Sequence, residues 1–586
     1  MTKKIKKAVS SKITAYVLLF VIIAVQLLNI TCVINDKKKG FHSDEIFSFG
    51  LANSFYQPFI MEDNVYTKVW DFENVNEWES ADLLREYVTV QDNERFRYDS
   101  VWYNQGNDRH PPLHYAVLHT MCSFFPNQFM IGFGYAINFI CFAVTQIFVY
   151  LIGEKLLRSR AGALAMCLLW GFSSGAVDMT IFIRMYSMLT MWVVIFMYLH
   201  TRLSLSQEIP GKRMIAALVC ITMLGALTQH VFLMIAFVTA VAFCIRYLVK
   251  KNIRGFLVYG FSVLGGTLLS VLIFPASITH FLTEDNSGVG DLFFRQVNTV
   301  ISYVLADVFS LSSTHFGYYF IYIITPIIAA VVLSLPLLFL FRKNERLRHW
   351  FSDKKKALAS IPSRLKRFTP VKLVKWIGRC NIMLPVMLLC TAAVGVTVAY
   401  KISFFEMNYV NRYLFPVLPL LLIAAAVFIR FIFSRLKYCN IAVTAALCCL
   451  SVNVICNPWY HFLFDYRESI PEIREILKDS DCILAESVIN DTWHISNWVP
   501  YMYDADRFFL TDYKDDINLK EDICKVQENK NVFVIMSRRP YVTKEKYEKQ
   551  IEFFKNLPIT EEMKKIGTHT IYNLKYDIYR IRSENK

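Results

Sequence analysis

Residues 13–34 read ITAYVLLFVIIAVQLLNITCVI, 22 residues without a charge. A helix rises 1.5 Å per residue and the hydrocarbon core of a bilayer is about 30 Å thick, so roughly 20 apolar residues cross it. Lys3, Lys4, Lys6 and Lys7 precede the run, and no small-residue cleavage site follows it. It therefore reads as a membrane anchor and not as a removed leader.

The rest of the chain repeats the pattern. Further apolar runs begin near Met130, Ala161, Tyr186, Met214, Val231, Phe256, Phe316, Ile382, Tyr413 and Ile441, which predicts about 11 transmembrane helices. The runs from Met214 to Lys250 form one apolar stretch, and two short helices fit there only with a turn near Gln229-His230. Across 586 residues the chain is 55% hydrophobic and 19% charged, with mean hydropathy +0.35. Those values exclude a disordered chain and argue against a soluble enzyme.

Charge placement orients the spans, because cytoplasmic loops are enriched in Lys and Arg. With the N-terminus inside, the inner loops carry Lys155, Arg158 and Arg160; Lys212 and Arg213; Arg246, Lys250, Lys251 and Arg254; and Arg435 with Lys437. The longest inner loop, 342–380, holds 13 Lys or Arg against Glu345 and Asp353. The first outer loop, 36–110, holds 15 acids against 8 bases. The net charge of +15 thus orients a multi-pass protein in the cell membrane, and no nucleic-acid partner is expected.

The tail after about residue 460 is also placed outside. Ser469-Ile-Pro-Glu472 has the pattern of a capped helix start. Short apolar runs at Cys482–Ala485, Arg507–Leu510 and Val532–Met536 alternate with helical patterns such as Thr543–Leu557. This predicts a small extracytoplasmic α/β domain over 461–586, beside a membrane domain over 1–460. The 14 cysteines show no metal spacing; Cys141, Cys167, Cys220, Cys244, Cys390, Cys448 and Cys449 fall in apolar runs and read as small core residues. Only Cys482 and Cys524 sit where an oxidising exterior would allow pairing, and free thiols are the expectation there.

Ionisable groups at membrane depth need a reason. On this topology Asp44 and Glu45, Arg109 and His110, Arg184, His230 and Arg412 all fall on the outer side. An acidic pair can deprotonate a hydroxyl or amine nucleophile. Arginines at the same level suit a phosphate, by bidentate and permanently charged recognition. Each residue also has a plainer reading: solvated loop carboxylates for Asp44 and Glu45, snorkelling for Arg184 and Arg412, a structural turn for His230, and a rigid helix entry for Pro111-Pro112.

Taken together the motifs resemble a family. His42-Ser-Asp44-Glu45 follows the first span, Asp108-Arg-His110-Pro-Pro-Leu113 closes the long loop, and Arg184-Met-Tyr186-Ser187 opens a middle span. Thr228-Gln-His230 and Arg412-Tyr413-Leu-Phe-Pro416-Val-Leu-Pro419 come later. Their order and sidedness over residues 1–460 resemble polytopic GT-C glycosyltransferases, in particular bacterial members of the protein O-mannosyltransferase and aminoarabinose transferase superfamily. The resemblance implies an inverting transferase that moves a sugar from a polyprenyl-phosphate donor to a cell-surface glycan, lipid or protein. It implies Asp44 as the base and Glu45 as an acceptor-positioning or second carboxylate. It also implies Arg184 and Arg412, with Tyr186 and Tyr413, at the donor phosphate, and His110, His230 and Arg109 lining the cavity. No cofactor is expected, although a divalent ion held by Asp44 and Glu45 is the alternative. The chain departs from the protein mannosyltransferases at His114-Tyr115, where they commonly carry Gly-Lys. A transporter or flippase for an anionic lipid-linked sugar is the competing class, and a scaffold with a partner-binding tail is a third.

Overall fold

A computed structural model describes residues 12–60, 76–206, 209–282, 293–311, 382–401, 409–465, 470–485, 493–511, 517–526, 531–538, 543–571 and 574–582. The expected span near Phe316, the basic loop 342–380, the N-terminal lysines and Ser469 lie outside them.

Among the described residues eight helices are long and apolar enough to cross a membrane, or nine if one bent pair counts as a single span. α1 (Lys12–Lys37) leads into α2 (Ser43–Asn53). After the first loop come α3 (Leu113–Ser123), α4 (Gly132–Leu157), α5 (Arg160–Phe172), α6 (Ser174–Ile181) and α7 (Tyr186–Leu205). Then follow α8 (Lys212–Thr228), α9 (Val231–Val249), α10 (Ile253–Ile273), α11 (Phe293–Phe309), α12 (Met383–Lys401), α13 (Leu418–Ile432) and α14 (Cys439–Cys456). The expected turn at Gln229-His230 falls between α8 and α9, with Gln229 closing one helix and His230 opening the next.

The single span expected from Ala161 is instead broken. α5 and α6 meet at 55°, where the Ser173 hydroxyl accepts from the Ala176 N–H and caps a second helix inside the apolar stretch. The spans are held by packing and a few buried polar contacts, as expected where lipid gives no hydrophobic force between helices. Gln26 of α1 and Gln146 of α4 join each other at 2.8 Å, and both donate to the Cys167 carbonyl of α5. α10 approaches α8 closely because Gly266 has no side chain: a Cβ there would stand 2.6 Å from the Val219 carbonyl oxygen. At the basic end Arg246 donates to the carbonyls of Leu203 and Ser204, capping the end of α7.

The C-terminal region builds most of a six-stranded mixed sheet, in the spatial order β1 (Trp78–Ser80), β3 (Arg507–Thr511), β2 (Ser480–Ala485), β4 (Asn531–Ser537), β6 (Leu574–Arg582) and β5 (Glu562–Ile571). β2 (Ser480–Ala485), β3 (Arg507–Thr511) and β4 (Asn531–Ser537) are parallel and correspond to the three apolar runs. Both faces of this centre are covered, so the strands read as nearly continuous apolar runs. Ile483, Val534 and Met536 pack on one side with Phe553 and Phe554, the latter pair from the helix Lys544–Lys555. Cys482, Phe508 and Ile535 pack on the other with Trp498. Cys482 and Cys524 are free thiols.

Two parts of the sheet were not anticipated. β5 (Glu562–Ile571) and β6 (Leu574–Arg582) form an antiparallel pair, with β6 set against β4. The opposite edge, β1 (Trp78–Ser80), comes from the first loop and pairs with β3. That loop is also more structured than the word implies. Ile46 and Phe49 of α2 and Leu84 and Tyr87 of the helix Asp82–Val88 share a core with Trp498 and Phe508 of the C-terminal region.

Candidate active site

α2 carries the acidic pair at its first turn. His42 is the N-cap: its Nδ1 accepts from the Asp44 N–H at 3.1 Å, and its own N–H donates to Glu45 Oε2 at 2.8 Å. This reciprocal capping satisfies N–H groups that a helix start otherwise leaves unpaired. It sets adjacent carboxylates to opposite tasks.

Glu45 is fully buried and its oxygens are occupied. Oε1 pairs with Lys38 Nζ at 2.6 Å and accepts from the Ile183 N–H at 2.9 Å. Lys38 also donates to the Ile181 carbonyl. The carboxylate expected to act beside Asp44, on the acceptor or on a metal, here ties α2 to the segment between α6 and α7.

Asp44 faces the arginines. Its Oδ2 lies 3.1 Å from Arg412 Nη1 and 4.0 Å from Arg184 Nε, and its Oδ1 lies 3.7 Å from His42 Nδ1. Burial by itself would raise this carboxyl, but Arg412 first, then Arg184, His42 and His110, hold it well below the usual carboxylate range. The positive end of α2 acts in the same direction. Among the described residues Arg184 Nε and Arg412 Nε have no hydrogen-bond partner, so each guanidinium keeps a buried donor.

Tyrosines fix both guanidiniums. Arg412 Nη2 donates to the Tyr413 hydroxyl and Arg184 Nη1 to the Tyr115 hydroxyl, each at 2.9 Å. The Tyr186 ring stands edge-on to Tyr413 at 6.1 Å. Arg412 lies on a 3-10 turn, Val410–Tyr413, that begins after Tyr409 at a φ of 69°. A left-handed backbone is costly for so bulky a residue. The Tyr409 ring is held among His42 at 5.5 Å, Phe462 at 5.3 Å and Phe464 at 5.6 Å.

The remaining candidates divide. His110 pairs with Asp108 at 2.7 Å and adds to the positive field at Asp44. Asp108, which reading the sequence did not single out, is itself held low: burial would raise it, but His110 and Arg184 prevail. Arg109 is exposed. His230 stacks edge-on with His280 at 5.8 Å, and burial, with His280 and His110 nearby, pushes it down to about 4, so it is neutral at pH 7. His114 is completely buried and pushed down to about 3 by burial and by Arg184.

A second polar cluster went unrecognised in the sequence. Asp178 of α6, Asp307 of α11 and His461, just past α14, bring one ligand atom each within 4.8 Å of one another. Each is a lone residue in an apolar or aromatic context, and no spacing rule connects them.

No known protein family matches the chain, and no curated protein matches it. Among solved structures it is similar to the crystal structure of ArnT from Cupriavidus metallidurans in the apo state. That match has 10% identity and a TM-score of 0.46, and covers 97% of this chain and 98% of that one. The chain is also similar to the crystal structure of ArnT from Cupriavidus metallidurans bound to undecaprenyl phosphate. There the identity is 10% and the TM-score 0.45, with 96% of this chain and 97% of that one covered.

Proposed function

We propose that the chain is an inverting glycosyltransferase that moves a sugar from a polyprenyl-phosphate donor to a cell-surface acceptor, a glycan, lipid or protein. The observation that carries this reading is the buried Asp44 carboxylate set between Arg412 and Arg184, whose Nε groups make no hydrogen bond among the described residues. The motif resemblance of the sequence supports it independently.

In this reading the donor phosphate binds Arg184 and Arg412. Its negative charge competes for the guanidiniums that hold the Asp44 carboxyl low, so donor binding raises the basicity of Asp44 in the loaded enzyme. Asp44 then takes the proton of the acceptor hydroxyl as its oxygen attacks the anomeric carbon. The bond from that carbon to the phosphate oxygen breaks on the opposite face, and the electron pair leaves with the phosphate. The growing charge on that oxygen meets the two arginines, which stabilise the transition state more than the ground state. Tyr115 and Tyr413 hold the guanidiniums in place, and Glu45 positions α2.

The membrane domain is assigned to 1–460 and the extracytoplasmic domain to 461–586, which takes its edge strand from the first loop. The basic loops favour an N-terminus in the cytoplasm and a site on the outer side. Purified protein given a polyprenyl-phosphate sugar and an acceptor extract is expected to release polyprenyl phosphate. Binding of the donor without any release over long incubation would favour a carrier of lipid-linked sugars.

A further inference from the structure

We propose that Asp178, Asp307 and His461 form a divalent-cation site, separate from Asp44, that takes a first-row ion such as zinc and locks the segment carrying Arg412.

The geometry suits an ion better than an ordinary hydrogen-bonded triad. Asp307 Oδ1 lies 3.3 Å from His461 Nε2, yet neither atom has a hydrogen-bond partner among the described residues. The two atoms are close but do not point at each other. Adjacent ligands of a tetrahedral zinc ion with bonds of about 2.0–2.1 Å are about 3.3 Å apart. The Asp307 side chain is completely buried, so its unpartnered oxygen has no access to bulk water. Asp178, also completely buried, accepts the His461 N–H at 2.9 Å, and each carboxylate oxygen retains a further lone pair.

Charge balance points the same way. Two buried carboxylates lie together, and no Lys or Arg forms an ion pair with either among the described residues. A protonated His461 offsets only one carboxylate, and the other must then take up a proton or meet a second positive charge. A divalent ion with a neutral imidazole offsets both. One imidazole and two carboxylates suit zinc or manganese better than calcium or magnesium, which favour all-oxygen shells. The backbone packs closely beside the cluster: a Cβ on Gly175 would stand 2.5 Å from Leu418 Cδ1 and 3.1 Å from the Cβ of Asp307, so a glycine here eases the approach of α6 to α11 and α13.

The site also reaches the chemistry indirectly. Asn411 donates to Asp307 Oδ2 at 3.2 Å, and its neighbour Arg412 pairs with Asp44. Phe462, next to His461, packs on Phe182 and Tyr409. An ion there joins α6, α11 and the chain past α14 into one support for the Arg412 turn.

The test is metal content of the full chain in detergent, after chelator treatment, reloading with Zn²⁺ or Mn²⁺, and desalting. Wild type is expected to retain one ion per chain, with about a tenfold or greater loss of affinity in Asp307→Asn and His461→Gln. Added Zn²⁺ should raise the apparent Tm of wild type, and Mg²⁺ or Ca²⁺ at equal concentration should not. Should the variants fail to fold, wild-type retention and its Tm shift decide alone. Equal metal content in wild type and variants, or wild type that neither retains metal nor shifts, would overturn the site and leave a proton-sharing triad. The readout is bound metal and not turnover, so either result leaves the transferase reading standing.

Discussion

Asp44 at the start of α2 and Arg412 before α13 meet at 3.1 Å, joining the segment after the first apolar helix to one of the last apolar helices of the chain. Both side chains are largely buried, so each charge needs the other. Their pairing, with Arg184 at 4.0 Å, sets one carboxylate against two guanidiniums, and in the proposed reading a donor phosphate takes up the excess positive charge.

Asp44→Asn keeps the size and hydrogen-bonding shape of the side chain but removes the base. Release of polyprenyl phosphate is expected to fall about 100- to 10,000-fold, the usual range for one general base. Donor affinity, measured by equilibrium binding, should hold or improve, because the arginines lose a competing anion. Unchanged turnover would remove Asp44 from the role assigned.

Arg184→Gln and Arg412→Gln each withdraw a charged donor from the leaving phosphate. A loss of about 100- to 1,000-fold in kcat is expected for each. Arg412→Lys should recover only part of it, since an ammonium cannot bridge two oxygens as a guanidinium does. Steady-state kinetics on donor lipid distinguish this from a uniform binding defect, which would raise KM alone.

The pH profile of kcat/KM reports the free enzyme. Asp44 is held below its ordinary value of about 3.9, so it stays ionised at every pH above about 4. Its charged form favours the fold above that value, and the contribution fades only as the pH drops further. The profile should therefore show no acid limb from Asp44 between pH 5 and 7. A limb near 6.5 that persists in Asp44→Asn would assign the base to a histidine.

Lys38 and Glu45 form a buried pair, with side chains 3% and 1% exposed. Lys38→Ala leaves the carboxylate uncompensated and is expected to destabilise the protein by roughly 3–5 kcal/mol, read as a lower apparent Tm in detergent. Adding Glu45→Gln should recover much of the loss in Tm. A full recovery of activity as well would show that Glu45 has no chemical part.

The spans were legible because lipid requires each backbone group to be satisfied within its own helix, which leaves long apolar runs in the sequence. Asp44, Arg184 and Arg412 stood out because charge in such surroundings is rare. What the sequence could not show depends on distant partners. Glu45 resembles Asp44 in one dimension, and only the fold sets Lys38 and the Ile183 N–H against it. The break at Ser173 is hidden in an apolar run because a serine cap carries no hydropathy signal. Trp78–Ser80 is too short to be read as a strand, and Asp178, Asp307 and His461 are each solitary until three segments converge.

β1 finds its partner β3 more than 400 residues later in the chain. At ribosomal speeds of about 5–20 residues per second, that interval lasts roughly 20–90 s. Throughout it the segment after the first apolar helix has been made, yet the sheet edge it supplies has nothing to join, and α2 lacks the apolar floor of Trp498 and Phe508. The apolar floor beneath the helix that bears Asp44 is therefore completed only once Trp498 and Phe508 have been made, although the acidic turn itself is fixed by partners that come earlier in the chain.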